Sequence, residues 1–184
     1  MDNKVKYGLK NVHYSKITVS GYSITYATPV AIPGAVNLSM DAQGEISKFY
    51  ADNMVYFQTA SNGGYEGDLE IALLPQSFRT DILNEVSDTN GITAEYSERQ
   101  PSAFALLFQF EGDVNATRHI LYNCIATRPS IAGATKEENV KPQTTTLNIS
   151  AAPRETDSLV KASVENDTAG ATAYAAWFTS VQEP

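Results

Sequence analysis

The sequence predicts a mainly β protein, an antiparallel β-sandwich or barrel with one packed α-helix and a possible short C-terminal helix. Most apolar residues recur with a period of two, which is typical of half-buried strands. Gly, Pro, Asn and Asp separate roughly ten such segments, a pattern that favours a sandwich or barrel. The chain of 184 residues is long enough to bury a hydrophobic core. We therefore expect one domain over residues 1–184.

Two segments show the strand pattern most clearly. In SAFALLFQFEGD, residues 102–113, both alternating sets of side chains are largely apolar, and HILYNCIAT repeats this after the turn signal EGDVNA. Residues 102–127 therefore predict a central hairpin covered on both faces. TTTLNISA instead alternates apolar residues with Thr146, Asn148 and Ser150, which predicts a sheet with one wet face. The side chains expected in the core are those of Phe104, Phe108, Leu121 and Leu147.

Shorter strand candidates lie on either side of this hairpin, at residues 12–19, 22–28, 35–40, 45–51, 54–59, 67–74 and 159–165. The glycine cluster NGGYEG precedes one of them and lacks a following Gly-Lys-Ser/Thr, so it does not match a phosphate-binding loop. We expect Gly63 and Gly64 to allow a positive φ at a hairpin turn, and Gly67 to allow close approach of another backbone.

Two segments have helical patterns. Pro75 suits the first position of a helix at about residues 75–86, in which four apolar residues recur at helical spacing: Phe78, Ile82, Leu83 and Val86. Near the C-terminus, AGATAYAAWFTSV places Tyr174, Trp177, Phe178 and Val181 on one side of a possible short helix. This last segment could dock the end of the chain, or it could be an edge strand.

The residue types that carry nucleophilic or metal chemistry are few and scattered. Cys124 lies in an apolar run, which indicates a buried core residue, and neither His13 nor His119 can be placed beside it. The two histidines have no Cys or carboxylate at metal-ligand spacing. No Gly-x-Ser-x-Gly turn is found in the sequence.

The charge is acidic and unevenly distributed. The net charge is −8, and residues 41–70 alone carry −5, from six acidic residues and one lysine. This balance argues against tight nucleic-acid binding, which requires clustered Lys and Arg. The carboxylate pairs Glu137/Glu138 and Glu66/Asp68 lie in predicted turns or on solvated strand faces, away from any apolar pocket suited to acid–base chemistry. We expect no catalytic, cofactor or metal site, and a protein that is not an enzyme.

No signal for insertion into a membrane is recognisable. No apolar run approaches the roughly 18 residues that span a bilayer. The N-terminus, MDNKVKYGLKN, lacks the apolar core of a secretory signal. We expect synthesis in the cytoplasm and no membrane partner.

The run FYADNMVYFQTASNGGYEGDLEIALLPQSFRTDIL, residues 49–83, resembles a segment of the major tail tube proteins of long-tailed (siphophage-type) bacteriophages and prophages of Gram-positive bacteria. FALLFQFEGD, RHILYNCIATRPSIAGATKEE and PQTTTLNISAAP resemble later blocks of that family in the same order. The common pattern is Ala-Asp-Asn, then Gly-Tyr-x-Gly, then Leu-Pro and a helix. The resemblance covers most of residues 5–155, whereas residues 156–184 match less recognisably.

This resemblance implies a tail-tube-like fold in which six copies close into a ring and rings stack into a tube. It implies a structural virion protein, made in the host bacterial cytoplasm and located in the virion tail, through which DNA passes during genome ejection without specific binding. The implied partners are further copies of the chain and the tape measure, tail terminator and distal tail proteins. The helix would be an outer plug that leaves the opposite sheet face and the edges for assembly. Alternatively, it closes one open end of a monomeric sandwich.

Two other functions stay open. Another phage tail or secretion-tube component could use the same fold. A carbohydrate-binding or adhesion β-sandwich could use Trp177 and the ten tyrosines as stacking surfaces.

Two sets of residues are candidates for roles in assembly. Residues 41–64 are long for a hairpin connection, and we expect them to reach an adjacent subunit or ring. The inter-subunit loop residues are Asp52, Asn53, Asn62, Gly63 and Gly64. The acidic residues expected to face the lumen, subject to strand phase, are Asp41, Glu45, Glu66, Asp68 and Glu70. They would repel DNA phosphates evenly, or alternatively form a solvated face that keeps the protein soluble.

Overall fold

The structure is a computed structural model that describes residues 3–135 and 142–184. It is mainly β, with 49% of residues in strands and 7% in helices, and its sheets are antiparallel. The predicted fold class, a β-sandwich with little helix, is confirmed. Glu137 and Glu138, the carboxylate pair considered from the sequence, lie outside the described residues.

The secondary structure follows the predicted segments with shifted ends and three short additional strands. The strands are β1 Lys6–Ser20, β2 Ser23–Tyr26, β3 Val30–Ala31, β4 Ala35–Gln43, β5 Ile46–Ala51, β6 Met54–Ala60, β7 Gly64–Ile71, β8 Val86–Ser87, β9 Thr93–Ala94, β10 Phe104–Gly112, β11 Thr117–Ala126, β12 Thr145–Ala151 and β13 Lys161–Glu165. The helices of the described residues are α1 Gln76–Asp81 and α2 Ala171–Ala176.

One antiparallel sheet organises the chain. Its strands lie in the order β2-β1-β10-β11-β12-β7-β4, with β3 also paired to β1 and β13 to β11. The sheet folds over on itself, because β1 and β4 are far apart in this order and yet contact each other. The pairs β5–β6 and β8–β9 form two separate small sheets.

The predicted central hairpin is confirmed. β10 and β11 pair from Phe104 opposite Cys124 to Phe110 opposite Thr117. Side chains on one face of this hairpin form an inner core with β1, β7, β12 and α1. All four residues expected in the core are buried there, namely Phe104, Phe108, Leu121 and Leu147.

The opposite face of the hairpin is covered by the C-terminal segment. Side chains of β10 and β11 form an outer core with Trp177, whose Nε1–H donates a hydrogen bond to the carbonyl oxygen of His119 (3.3 Å). Phe178 and Val181, from the predicted apolar stripe, pack on this outer core. The C-terminal stripe therefore docks through the short helix α2 and the residues after it, not as an edge strand.

Arg154 fixes the last residues of the chain. Its buried guanidinium donates to the carboxylates of Asp157 (Nε to Oδ1, 3.0 Å) and Glu183. The hydrogen bond from Arg154 holds the pKa of Asp157 below its usual range. The Tyr122 hydroxyl donates to the carbonyl oxygen of Gln182 (2.6 Å). These contacts tie the C-terminus to the outer face of the sheet.

The helix α1 is shorter than predicted. It spans Gln76–Asp81, and Pro75 precedes it with an extended backbone (ψ 142°) instead of occupying its first turn. Helical geometry ends before Asn84, whose φ of 56° is left-handed, a conformation that commonly follows the end of a helix. Val86 consequently lies in β8, opposite Ala94.

The side chains of α1 and of the turn after it enter the inner core. Phe78 packs edge-to-face against Tyr14 and Phe104, with ring centroids 5.1 and 5.4 Å apart. Ile82 and Leu83 are also buried. The helix therefore lies at the Phe104 end of the inner core, which fits the alternative in which it closes one end of the sandwich.

Candidate assembly surfaces

A two-stranded arm extends the β4–β7 pair beyond the main sheet. We define the arm as residues 46–60, the strands β5 and β6 with the turn between them. Gln43 lies opposite Gly64 at the end of the main sheet, and Ile46 lies opposite Ala60 at the start of the arm. With six residues in β5, the arm is about 20 Å long.

The arm ends in a tight turn at Asp52 and Asn53. Both residues have left-handed backbones, with φ of 52° and 60°. Two successive positive φ values are the mark of the type I′ turn, whose twist matches that of a two-residue hairpin. This turn joins the two strands that were predicted at residues 45–51 and 54–59. The glycine cluster does not form a hairpin turn between β6 and β7, because β7 pairs with β4 and β12.

The glycine cluster lies at the base of the arm. Gly64 has a φ of 97°, and a Cβ on it would be 1.9 Å from the carbonyl oxygen of Ala151. A Cβ on Gly67 would likewise be 1.9 Å from the carbonyl oxygen of Ser39, so the expected close backbone approach is confirmed. These glycines let β7 pack tightly between β4 and β12 where the arm leaves the sheet.

The structure divides the predicted inter-subunit loop residues into two groups. Asp52 and Asn53 form the tip of the arm, whereas Asn62, Gly63 and Gly64 form its base. At the base, the Asn62 side chain accepts a hydrogen bond from the N–H of Gly64 (3.0 Å), and Gly63 N–H donates to the carbonyl oxygen of Gln43 (2.7 Å).

The side chains between tip and base were not among the predicted site residues, and they are the most unusual feature of the arm. Phe49 and Phe57 lie opposite each other on one face, and Tyr50 lies opposite Val55 on the other. Between 43 and 71% of the surface of each large apolar residue in the arm is exposed. The arm makes no extensive contact with any other described strand or helix. The sequence signal that could have identified these residues is that consecutive residues are apolar, as in FY (49–50) and MVYF (54–57), so that both faces of the arm are apolar.

Four of the five predicted acidic residues meet on one surface, which we call the acidic face. Glu66, Asp68 and Glu70 alternate along β7 with Leu69 and Ile71, which are buried in the inner core. Asp41 lies directly opposite Glu66 on β4 and so projects to the same side. The alternation predicted for β12 is confirmed, and its exposed polar residues extend this surface: Thr146, Asn148 and Ser150.

In the described parts of the chain, no Lys or Arg forms an ion pair with a carboxylate of the acidic face. The strands β4, β7 and β12 contain no Lys or Arg. Carboxylates placed directly opposite each other across two strands, as in Asp41 and Glu66, destabilise a sheet. Local hydrogen bonds partly satisfy the others: Glu70 accepts one from the Thr144 hydroxyl (2.6 Å) and Asp68 accepts one from the Asn148 amide.

Glu45 is not part of the acidic face. It lies in the break between β4 and β5, where its N–H donates to Ser61 Oγ (2.9 Å) and its carbonyl oxygen accepts from Ser61 N–H (3.0 Å). This pair of contacts joins the two strands at the base of the arm.

The groups considered for chemistry are held apart or buried. Burial raises the pKa of the Cys124 thiol to about 12, so the thiol stays protonated at neutral pH. His13 stacks on Phe178 of the outer core and His119 on Phe108 of the inner core, so the histidines face opposite sides of the sheet. Residues 3–135 and 142–184 contain no cluster of three His, Cys, Asp or Glu suited to a metal ion.

Comparisons with known proteins provide no identity. No family model and no curated protein matches this chain. Among the helices of the described residues, none is long and apolar enough to cross a membrane. The arm and the acidic face are therefore the features from which a function can be proposed.

Proposed function

We propose that this protein is a structural subunit, the major tail tube protein of a long-tailed bacteriophage or prophage, and that it assembles into stacked hexameric rings. The observation that carries the proposal is the arm, which exposes large apolar side chains on both faces. Contiguous exposed apolar surface on a soluble protein marks an interaction site, and an arm with two apolar faces requires cover from two sides.

A further copy of the same chain is the partner that this surface favours. An arm that docks on a different surface of its neighbour makes a heterologous contact, which generates closed rings or open helical filaments depending on the rotation. A tube of stacked rings contains contacts both within a ring and between rings. Both faces of one arm could therefore be covered in a single assembly.

The structural positions of the family-like motif support the same proposal. Ala-Asp-Asn, residues 51–53, forms the tip of the arm. Gly-Tyr-x-Gly, residues 64–67, starts β7 at the base of the arm, and Leu74-Pro75 directly precedes α1. Each part of the motif thus falls where the chain changes direction or packs backbone against backbone.

The acidic face fits the wall of a channel for DNA. In a hexameric ring, its four carboxylates would be repeated six times, and stacked rings would create a continuous negative potential. DNA phosphates would be repelled evenly, so the genome would pass without being held at any point. Asp41, Glu66, Asp68 and Glu70 are the lumen residues in this proposal, and Glu45 belongs to the arm base.

The proposal includes the setting of such a protein. The chain is made in the bacterial cytoplasm and is located in the virion tail, where the tape measure, tail terminator and distal tail proteins contact the tube. It carries no catalytic role. A related tail or secretion-tube component would use the same arm, whereas Trp177 is buried and offers no surface for stacking on a sugar.

Excision of the arm tests the proposal. Joining Glu45 to Ser61 by an Asn-Gly turn uses two residues that already pair and removes only residues 46–60. By electron microscopy, the wild-type chain should form rings or hollow tubes, and the excised chain should be a folded monomer. Tubes from the excised chain, or a wild-type chain that never assembles, would contradict the proposal.

Reversing the charge of the acidic face tests the channel. We expect tubes of the Glu66→Lys, Asp68→Lys variant to retain double-stranded DNA at low salt, where screening is weakest, whereas wild-type tubes should not. The matched control is Glu155→Lys, an exposed acidic residue outside the acidic face. Equal DNA retention by all three kinds of tube would show that these carboxylates do not line the channel.

A further inference from the structure

The inner core is closed at one end and open at the other. At the Phe104 end, Phe78 of α1 packs against the core aromatic residues. At the opposite end, where the arm leaves the sheet, a cavity of about 210 Å³ remains. Its apolar walls include Phe108, Phe110 and Tyr65.

Two lysines from different strands lie at this cavity. The Lys6 ammonium is 5.1 Å from the centroid of the Phe110 ring, and the Lys161 ammonium is 4.7 Å from the centroid of the Tyr65 ring. Among the described residues that line the cavity, none is acidic. Neither lysine forms an ion pair with another residue in the described parts of the chain.

His119 also lines the cavity, and its pKa is affected by both lysines. Its ring stacks on Phe108 with centroids 5.3 Å apart. Burial lowers the pKa of His119 to about 4, and the positive charges of Lys161 and Lys6 add to this effect. The imidazole is therefore neutral at pH 7. Both ammonium groups are close enough to this partly buried ring to disfavour its protonation.

The charges and the walls of this cavity suit an anionic ligand. Two ammonium groups lie at an aromatic cavity in a protein whose net charge is −8, and no carboxylate among the described lining residues offsets them. An apolar cavity with a few convergent polar groups is the usual form of a ligand site. Its volume is smaller than the roughly 300 Å³ at which drug-sized pockets begin, so the ligand is small.

We propose that this cavity binds a small amphipathic anion, a carboxylate carried on a short aliphatic or aromatic body. Lys6 and Lys161 hold the carboxylate, and Phe108, Phe110 and Tyr65 surround the apolar body. The site lies in the open end of a single chain, so the proposal does not rest on assembly into tubes.

Calorimetric titration of the full chain with octanoate tests the site. We expect saturable binding of one octanoate per chain, weakened at least tenfold by Lys6→Gln with Lys161→Gln. Both lysines are exposed, so this double variant should fold normally, which circular dichroism can verify. Octanol, which has the same chain and no charge, should bind the wild type and the double variant equally.

Lys10→Gln is the matched control. Lys10 lies on the same strand as Lys6 but pairs with Glu111 (2.5 Å), and it does not line the cavity. Its replacement should change octanoate affinity by less than twofold. The proposal is overturned if the wild type shows no saturable binding, if the double variant binds octanoate as tightly as the wild type, or if Lys10→Gln weakens binding as much as the double variant does.

Discussion

Two hairpins of this protein have apolar residues on both faces and yet meet opposite environments. The β10–β11 hairpin is buried between the inner core and the C-terminal segment, so the chain itself covers both of its faces. The arm has the same two-sided character, but its aromatic residues remain exposed. The described residues cover both faces of the β10–β11 hairpin and leave the arm exposed.

The difference indicates which hairpin stabilises the folded monomer. Burial of apolar surface stabilises by about 25 cal/mol per Å², so the covered hairpin stabilises the folded monomer. A two-stranded hairpin with no cover is only marginally stable in water. The arm should therefore contribute little to monomer stability and gain its stability when a neighbour covers it.

The largest expected effect is in the covered hairpin. Phe108→Ala should lower the free energy of unfolding by about 3–5 kcal/mol, because it leaves a cavity in the inner core. Urea denaturation measures this loss. A loss well below 1 kcal/mol would mean that β10 does not have the side-chain phase described above.

The second effect concerns the C-terminal segment, which covers the outer face of the β10–β11 hairpin. Trp177→Ala should cost about 3 kcal/mol, because the indole fills the outer core and its N–H bonds the His119 carbonyl oxygen. Tyr22→Ala is the control, since Tyr22 is 98% exposed and should cost almost nothing. Similar losses in the two variants would rule out the C-terminal segment as the cover.

The third effect is a pH dependence confined to the covered hairpin. The folded-state pKa of His119 is about 4, below the ordinary value of 6.5, so below pH 6.5 the unfolded chain takes up a proton that the folded chain does not. Stability should therefore fall as the pH is lowered from 6.5 towards 4. Because the imidazole is only partly buried, we expect a loss of about 1 kcal/mol between pH 7 and pH 5. Urea denaturation of the His119→Gln variant at pH 7 and pH 5 should show a loss of stability that is smaller by this amount.

An equal loss of stability in the wild type and in the His119→Gln variant would show that His119 is not its cause.

The smallest expected effect on the monomer is in the arm. Phe57→Ala should change the free energy of global unfolding by no more than about 0.5 kcal/mol, as is usual for exposed positions. The same substitution should raise the concentration needed for assembly, as measured by light scattering. A stability loss comparable with that of Phe108→Ala would show that the arm packs on its own chain.

The period-two pattern predicted the central hairpin, the core and all strands except the short β3, β8 and β9, because burial of alternate side chains depends mainly on local sequence. The end of α1 could not be predicted in this way, because Asn84 leaves helical geometry through its backbone while the apolar spacing continues to Val86. The acidic face depended on register, which aligned Asp41 with Glu66 and left Glu45 in a strand break. The exposure of the arm depended on tertiary contacts, since two-sided apolar strands look alike whether their cover comes from the same chain or from another.

Hydrogen–deuterium exchange of residues 46–60 tests most directly whether another copy covers the arm. In dilute monomeric protein, the amides of the arm should exchange quickly while those of β10 and β11 are protected, because exchange follows local opening. In assembled protein, the arm amides should become protected to a similar degree. Arm amides that exchange equally fast in the monomer and in the assembly would contradict the account.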